Sequence, residues 1–393
     1  MRLDSPIRLR SARAWRTYTG GRLIDEMHGV SPARDTHFPE DWIASVVRAN
    51  NPGREDVVEG LGELASGGYL RDLVAADPAS ALGAAHVTRF GASPAVLVKI
   101  IDAAERLAVQ VHPDKERARR FFGSPFGKTE CWHIIDVRSP DACVHLGFKP
   151  GVTKAAWRRA FFECSQISNV HKSQMNTKPN GNCDLRFVSN EDLPFVNNSD
   201  FLLSLMHRLP ARPGDTFLVK AGVPHAIGAG CLLVEIQEPT DYTLRVERVT
   251  PQGYRMSDLQ MHGGIGFDAM FECFDYEGVS EAEALRRWRI APRILEGTSG
   301  FTRTELVGAA QTPCFTLERI DICGECRLDP AGRFCALYAT AGSGEIRSSA
   351  GAEPIRPGDQ FFVPASAAPF EMAASSSHAP LVVFRALPPD SVR

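Results

Sequence analysis

Past residue 85 the chain breaks into short apolar runs separated by Gly, Pro and Asp. Examples are AVLVKIID (95–102), LAVQVH (107–112), ECWHIIDV (130–137), DTFLVKAG (215–222), CLLVEIQE (231–238) and CALYATAG (335–342). They are rich in β-branched and aromatic residues, which predicts the strands of antiparallel sandwiches or barrels. Two stretches follow a helical period instead. Apolar residues recur at three-to-four spacing from Val152 to Cys164. In SEAEALRRWRIAPRIL, Ser280 and Glu283 have the spacing of a capping box, and Pro292 should stop or kink that helix. The basic run Lys115–Arg120 carries a glutamate and reads as the exposed face of a short helix. The Asn- and Ser-rich stretch 165–199 reads as loop.

A repeat organises the chain. RPGDTFLVKAGVPH (Arg212–His225) and RPGDQFFVPASAAP (Arg356–Pro369) align without a gap. Each reads as a turn, a buried strand and a second turn, so two similar β units are expected. The second copy has Pro369 where the first has His225. Residues 1–150 and 200–275 are expected to form one barrel and 276–393 a second, metal-free one. Residues 151–199 are then a helical and loop insertion.

Composition fits a soluble globular protein, at 44% hydrophobic and 23% charged. A net charge of −3, from 44 basic and 47 acidic residues, gives no reason to expect a nucleic-acid partner. The basic N-terminus lacks the apolar core of a secretory signal, and no run approaches a membrane span. A cytoplasmic enzyme is the expectation, and no pattern fixes its oligomeric state. Ten cysteines in so long a chain are not a disulfide framework. Cys323 and Cys326, with Cys314 and Cys335, have the residue types of a four-thiolate site. A turn between strands is the plainer reading of the first pair.

The spacing of Gly214, Gly222 and His225 resembles the second conserved motif of the cupin superfamily, small antiparallel barrels that hold a metal inside. Residues two apart on a strand share a face, so Gln110 and His112 would both look inward while Val109 and Val111 look outward. Glu130 opens another strand, and His225 follows a glycine turn. Two imidazoles, a carboxylate and an amide oxygen suit zinc with a position open to water or substrate. The remaining histidines lack such framing and read as structural.

Longer segments narrow the resemblance. LAVQVHPD, GKTECWHIID, AGVPHAIGAG and EIQEPTDYTLR are similar, in order, to signature segments of type I mannose-6-phosphate isomerases; PEDWIAS, VKIIDAAERLAVQVHP and VHLGFKPGVTK extend the match. The resemblance covers roughly residues 15–275. It implies a mainly β fold of two cupin, jelly-roll-like barrels with a small helical insertion. It implies one Zn2+ per chain on Gln110, His112, Glu130 and His225. Lys128, Glu235 and Arg245 fall on catalytic positions, and Lys128 and Asp241 on substrate positions; Lys220 is added as a candidate phosphate contact. Asp241 is expected to orient Arg245, four residues on. The implied reaction interconverts mannose 6-phosphate and fructose 6-phosphate by proton transfer through an enediol. Two positions depart from the family: Ala108, where a phosphate-contacting serine is common, and Leu244, where an aromatic is common. They keep open an isomerase for another phosphorylated or unphosphorylated sugar. A non-catalytic sugar-binding cupin protein is also compatible with these residues. A metal-dependent dioxygenase would want iron and a more His-rich set, and the glutamine does not favour it.

Overall fold

The computed structural model describes residues 3–170 and 198–390. Its strands form four sheets, and every strand pair is antiparallel. The mainly β class expected from the sequence is borne out.

The cleft sheet has seven strands, in the order Arg289–Ile290, Thr216–Val219, Glu130–Val137, Cys231–Gln237, Leu97–Ala103, Glu40–Ile43, Arg13–Ala14. Both its faces are covered. Leu97–Ala103 and Cys231–Gln237 are buried at every position. That explains why their sequences are unbroken apolar runs rather than alternations. On one face Trp132, Ile134, Leu233 and Ile101 meet Val144, Leu146, Leu209 and Ile227. Those four belong to the facing sheet, whose five strands run Leu244–Arg245, Gln110–Val111, His225–Ile227, Cys143–Phe148, Met206–Pro210.

The other face of the cleft sheet rests on a backing sheet of eight strands, Arg293–Gly297, Phe301–Val307, Thr316–Ile322, Leu381–Leu387, Cys335–Ala341, Gln360–Val363, Ile7–Arg10, Glu63–Leu64. Val98, Ile100, Leu218, Val234 and Ile236 pack there on Leu317, Tyr338, Phe384 and Ala386. Each fully buried Leu, Ile, Val or Phe contributes roughly 1.5–3 kcal/mol. The backing sheet in turn covers an outer sheet of four strands, joined through Ile320, Leu337, Val383, Ile346 and Met372. Strand pairing crosses the expected boundaries twice. Ile7–Arg10 pairs with the late strand Gln360–Val363, and Arg289–Ile290 pairs with Thr216–Val219.

The two repeat copies make the same turn. Gly214 and Gly358 sit at φ 91° and 89°, in the left-handed region where glycine is unstrained. In each copy the arginine N–H donates to the aspartate side chain, at 3.0 Å for Arg212 and 2.7 Å for Arg356. Each turn feeds a wholly buried strand.

Helices shield the back of the facing sheet. Trp157, Ala160, Phe161, Met261, Met270 and Phe271 pack on Val109, Val111 and Leu244. The helix expected over Val152–Cys164 spans Lys154–Val170, so it runs six residues into the expected loop. At the other end of that loop, Asn198–Ser204 is helical. The rest of it, 171–197, lies outside the described residues. Lys115–Phe122 is the short helix expected, with Asp114 accepting from the Arg117 N–H at 2.8 Å. Ser280 caps the helix Glu281–Trp288, but Glu283 binds Arg286 and Arg287 instead of closing the box. That helix ends before Pro292, and its Trp288 lies on Gly147, where an added Cβ would stand 1.8 Å from the indole. Cys323 and Cys326 flank the turn between Thr316–Ile322 and Glu325–Leu328, as free thiols.

Candidate metal centre and cleft

His112, Glu130 and His225 converge between the cleft and facing sheets, each essentially without solvent exposure. They are the one group of three or more His, Cys, Asp and Glu side chains among the described residues with metal-like proximity. Local structure puts each in place. Glu130 opens the strand Glu130–Val137, on the face it shares with Trp132. His225 opens its own strand after the turn at Gly222, whose N–H donates to the His112 carbonyl at 2.9 Å. Gln110 is the register partner of both His225 and Arg245, so it lies between them. Val109 and Val111 point into the helical layer, as the alternation requires.

The two imidazole Nε2 atoms lie 3.1 Å apart. From His112 Nε2 to Glu130 Oε2 is 3.1 Å, and from His225 Nε2 to Glu130 Oε1 is 3.3 Å. Each Nδ1 is 2.8 Å from a backbone carbonyl, Tyr242 for His112 and Val223 for His225. A carbonyl only accepts, so Nδ1–H donates and both Nε2 lone pairs aim at the centre, the orientation of metal-binding histidines. Neither Glu130 oxygen has a hydrogen bond of proper geometry. A buried carboxylate with no well-formed hydrogen bond, facing two lone pairs, has the donor set of a cation site. Lys128 Nζ lies 2.9 Å from His112 Nε2 and 3.3 Å from Glu130 Oε2. Burial pushes the Glu130 carboxyl up, but Lys128, His112 and His225 outweigh it and hold it well below its usual range. Burial and then Lys128 hold the His112 imidazole well below its own.

Beside this group runs a narrow cleft of about 30 Å3, lined among others by Gln110, Lys128, Glu235, Asp241, Arg245 and Ala108. Glu235 is the cross-strand partner of both Trp132 and Lys99. Its Oε2 accepts from Trp132 Nε1 at 3.0 Å, and its Oε1 lies 3.0 Å from Lys99 Nζ. Burial, with Glu130 adding to it, pushes the Glu235 carboxyl up. The Trp132 ring also meets His225, at 5.5 Å between centroids.

Three expectations change. Asp241 does not orient Arg245: it pairs with Arg16 at 3.2 Å and accepts from the Asn50 N–H at 2.8 Å. Arg245 instead donates to the Gln260 carbonyl at 2.8 Å and is brought down to about 10, by burial first and then by Arg16. Lys220 is exposed at the end of its strand and does not line the cleft. Leu244 is fully buried among the helices, so its departure from the family pattern does not touch the cleft, whereas Ala108 lines it. The motif reading missed Arg16, Tyr18, Glu40 and Lys99, which also line the cleft. Lys99 and Glu235 had a legible signal, a lone charge inside an apolar strand run.

Residues 18–127 match the phosphomannose isomerase type I catalytic domain. The family resemblance read from the motifs is borne out, and with it the expectation of an isomerase. The chain is 27% identical over 294 residues to the mannose-6-phosphate isomerase of Streptococcus mutans, covering 73% of this chain and 75% of that one. It is 25% identical over 280 residues to the mannose-6-phosphate isomerase ManA of Bacillus subtilis, covering 70% and 71%. The fold is that of the Bacillus subtilis mannose 6-phosphate isomerase crystal structure, with a TM-score of 0.67 at 22% identity over 98% of this chain and 99% of that one. Phosphomannose isomerase from Salmonella typhimurium gives 0.67 at 15% identity, over 98% and 100%. No helix among the described residues is long and apolar enough to cross a membrane.

Proposed function

We propose that this chain is a zinc-dependent mannose-6-phosphate isomerase, converting mannose 6-phosphate and fructose 6-phosphate into one another by moving a proton between C1 and C2 through an enediol. The observation that carries the reading is the buried Glu130 carboxylate, without hydrogen bonds, facing two oriented imidazoles at the wall of a charged cleft. His112, Glu130, His225 and Gln110 would hold one zinc per chain. When bound it supplies Lewis-acid polarisation of the sugar oxygens.

The chain's own groups do the rest. Glu235 takes the proton on its Oε1: it lines the cleft, and burial raises it toward the range of a working base. Lys99 and Trp132 hold that carboxylate in one orientation. Lys128 and Arg245 bring positive charge to the developing enediolate oxygen and to the phosphate. Asp241 accepts from sugar hydroxyls. Lys220 has no part in this arrangement. The domain reading stays a proposal: a metal-binding unit from 1–150 and 200–275, an insertion at 151–199, and a metal-free unit from 276 on.

The test is metal analysis of the purified protein together with a mannose 6-phosphate assay. About one zinc per chain and chelator-sensitive turnover are expected. A fully metallated protein that leaves mannose 6-phosphate unconverted refutes the reading. Ala108 in the cleft wall favours a second one, an isomerase of the same fold for a different sugar. A substrate panel separates them by kcat/KM.

A further inference from the structure

Arg16 belongs to none of the metal or substrate assignments above, yet it ties the cleft together. It is 5% exposed. Its Nε lies 3.0 Å from Glu40 Oε1. Its Nη2 donates to both Asp241 oxygens, at 3.2 and 3.3 Å. Its Nη1 donates to Asn51 Oδ1 at 2.9 Å and to the Trp15 carbonyl at 3.2 Å. The plane lies over the Trp42 ring at 5.0 Å. A guanidinium presents its donors in one rigid fork, so the two carboxylates are fixed relative to each other.

The contacts continue in two directions. Inward, Glu40 accepts from Tyr18 Oη at 2.7 Å and from Trp42 Nε1 at 2.8 Å, and it lies 3.8 Å from Lys99, which holds Glu235. Asp241, Arg16, Glu40, Lys99 and Glu235 thus form a row of alternating charge along the cleft. Outward, Asp241 accepts from the Asn50 N–H, and Asn51 bonds both Arg16 and Glu59. The residues between, 52–58, are partly or fully exposed.

We propose that Arg16 is a positioning residue that fixes Asp241 and Glu40 as acceptors on the cleft wall and pins the segment 50–58 against the cleft through Asn50 and Asn51. Its kinetic consequence rests on the isomerase reading; the pinning does not. Burial pushes Glu40 up, but Arg16 and Lys99 bring it down to about 2, with Glu235 and Tyr18 the other titratable groups near it. Removing the Arg16 charge therefore raises Glu40, and the acid limb of the kcat/KM profile moves to higher pH.

The test uses the full chain loaded with zinc, as parent, Arg16→Gln, Arg16→Lys and Asn51→Ala. R16Q is expected to lose on the order of a hundredfold in kcat/KM for mannose 6-phosphate. R16K restores part of it, because charge returns without the fork. Limited trypsin digestion reads the second arm. Cutting after Arg48 and Arg54 speeds up about tenfold in R16Q and less in N51A, read well below the melting temperature of each variant and at parental zinc content. Parental kcat/KM and pH profile in R16Q overturn the positioning role. Parental cutting rates in both R16Q and N51A overturn the pinning. If R16Q does not fold, N51A decides the pinning and R16K the kinetics: parental kcat/KM in R16K then overturns the positioning role. If the parent itself leaves mannose 6-phosphate unconverted, the isomerase reading falls, and the digestion still decides what Arg16 holds.

Discussion

Glu130→Gln removes a charge from the candidate metal centre while keeping the shape of the side chain. The amide oxygen can accept from Lys128, 3.3 Å from Glu130 Oε2, and the amide nitrogen can donate to the His225 lone pair, 3.3 Å from Oε1. The metal-free variant should therefore fold. Its cost is the charge-assisted contact to Lys128, about 2 kcal/mol. An unfolding entropy of about 2.1 cal/mol/K per residue, over 393 residues, gives about 0.8 kcal/mol per kelvin if the chain melts as one unit. The metal-free variant then melts about 2–3 °C below the parent.

Zinc separates the two proteins further. A metal that binds only the folded state stabilises it by about 4 kcal/mol at a thousandfold excess over Kd. On the same entropy the parent should gain about 5 °C, and E130Q less than about 1 °C. The assay is a thermal melt of chelator-treated protein titrated with zinc, with bound metal counted after gel filtration. An E130Q protein that keeps the parent's shift and its bound zinc would refute the argument, because the centre would then not depend on its only carboxylate. A parent that gains nothing from zinc, manganese or cobalt would refute it as well.

Three further outcomes are expected. Trp132→Phe deletes the donor to Glu235 Oε2 at 3.0 Å and should lower kcat about tenfold at unchanged zinc content. Gly147→Ala drives a methyl into the Trp288 indole at a residue with φ 63°, and should cost about 3 kcal/mol in urea unfolding. His133 is 2% exposed, and burial, then Arg319, brings it down to about 4 from its usual 6.5. The unfolded chain takes up that proton below about 6.5 and the folded one does not, so stability is full above that pH and falls as pH drops toward 4. The loss is about 3 kcal/mol, and His133→Gln should flatten the urea-unfolding midpoint over that window relative to the parent.

How much of the site is legible in the sequence depends on how local its geometry is. Gln110 and His112 are two residues apart, and strand alternation alone puts Val109 and Val111 on the opposite face. The turn at Gly222 places His225 by the same local logic. Asp241 and Arg245 show where that logic stops. A spacing of four brings side chains together on a helix, but Asp241 lies in irregular chain ahead of the short strand Leu244–Arg245, where that spacing fixes no side-chain pair. The partner of Asp241 is Arg16, 225 residues away. Nothing local distinguishes Arg16 from the other arginines; only the closing of the cleft sheet over Glu40 and Trp42 does.

The repeat raises the same question at a larger scale, since two copies of one turn and strand lead to different interiors. Pro369 replaces His225, and Cys335, the register partner of Val363 as Glu130 is of Val219, replaces the carboxylate; Arg385 and Glu318 take the places of Glu235 and Lys99. In the backing sheet Glu318 and Arg385 sit on the faces of their strands that carry Ile320 and Val383, so they point into the second interior. They pair with each other at 3.3 Å. A buried carboxylate that owns a guanidinium has no need of a metal. Glu130 has imidazole lone pairs and one lysine instead. The backing sheet also acts from behind. Its Tyr338 and Phe384 cover Val98, Ile100 and Val234, the residues that alternate with Lys99 and Glu235 along their strands. A cleft sheet exposed on that side would need polar residues there and would hold its inner row less rigidly. Weakening the contact between the sheets, for example by Phe384→Ala at about 3–5 kcal/mol, should therefore lower kcat at temperatures where the protein is still folded. A variant that loses that stability and keeps the parent's kcat would show the backing sheet to be scaffold without influence on the cleft.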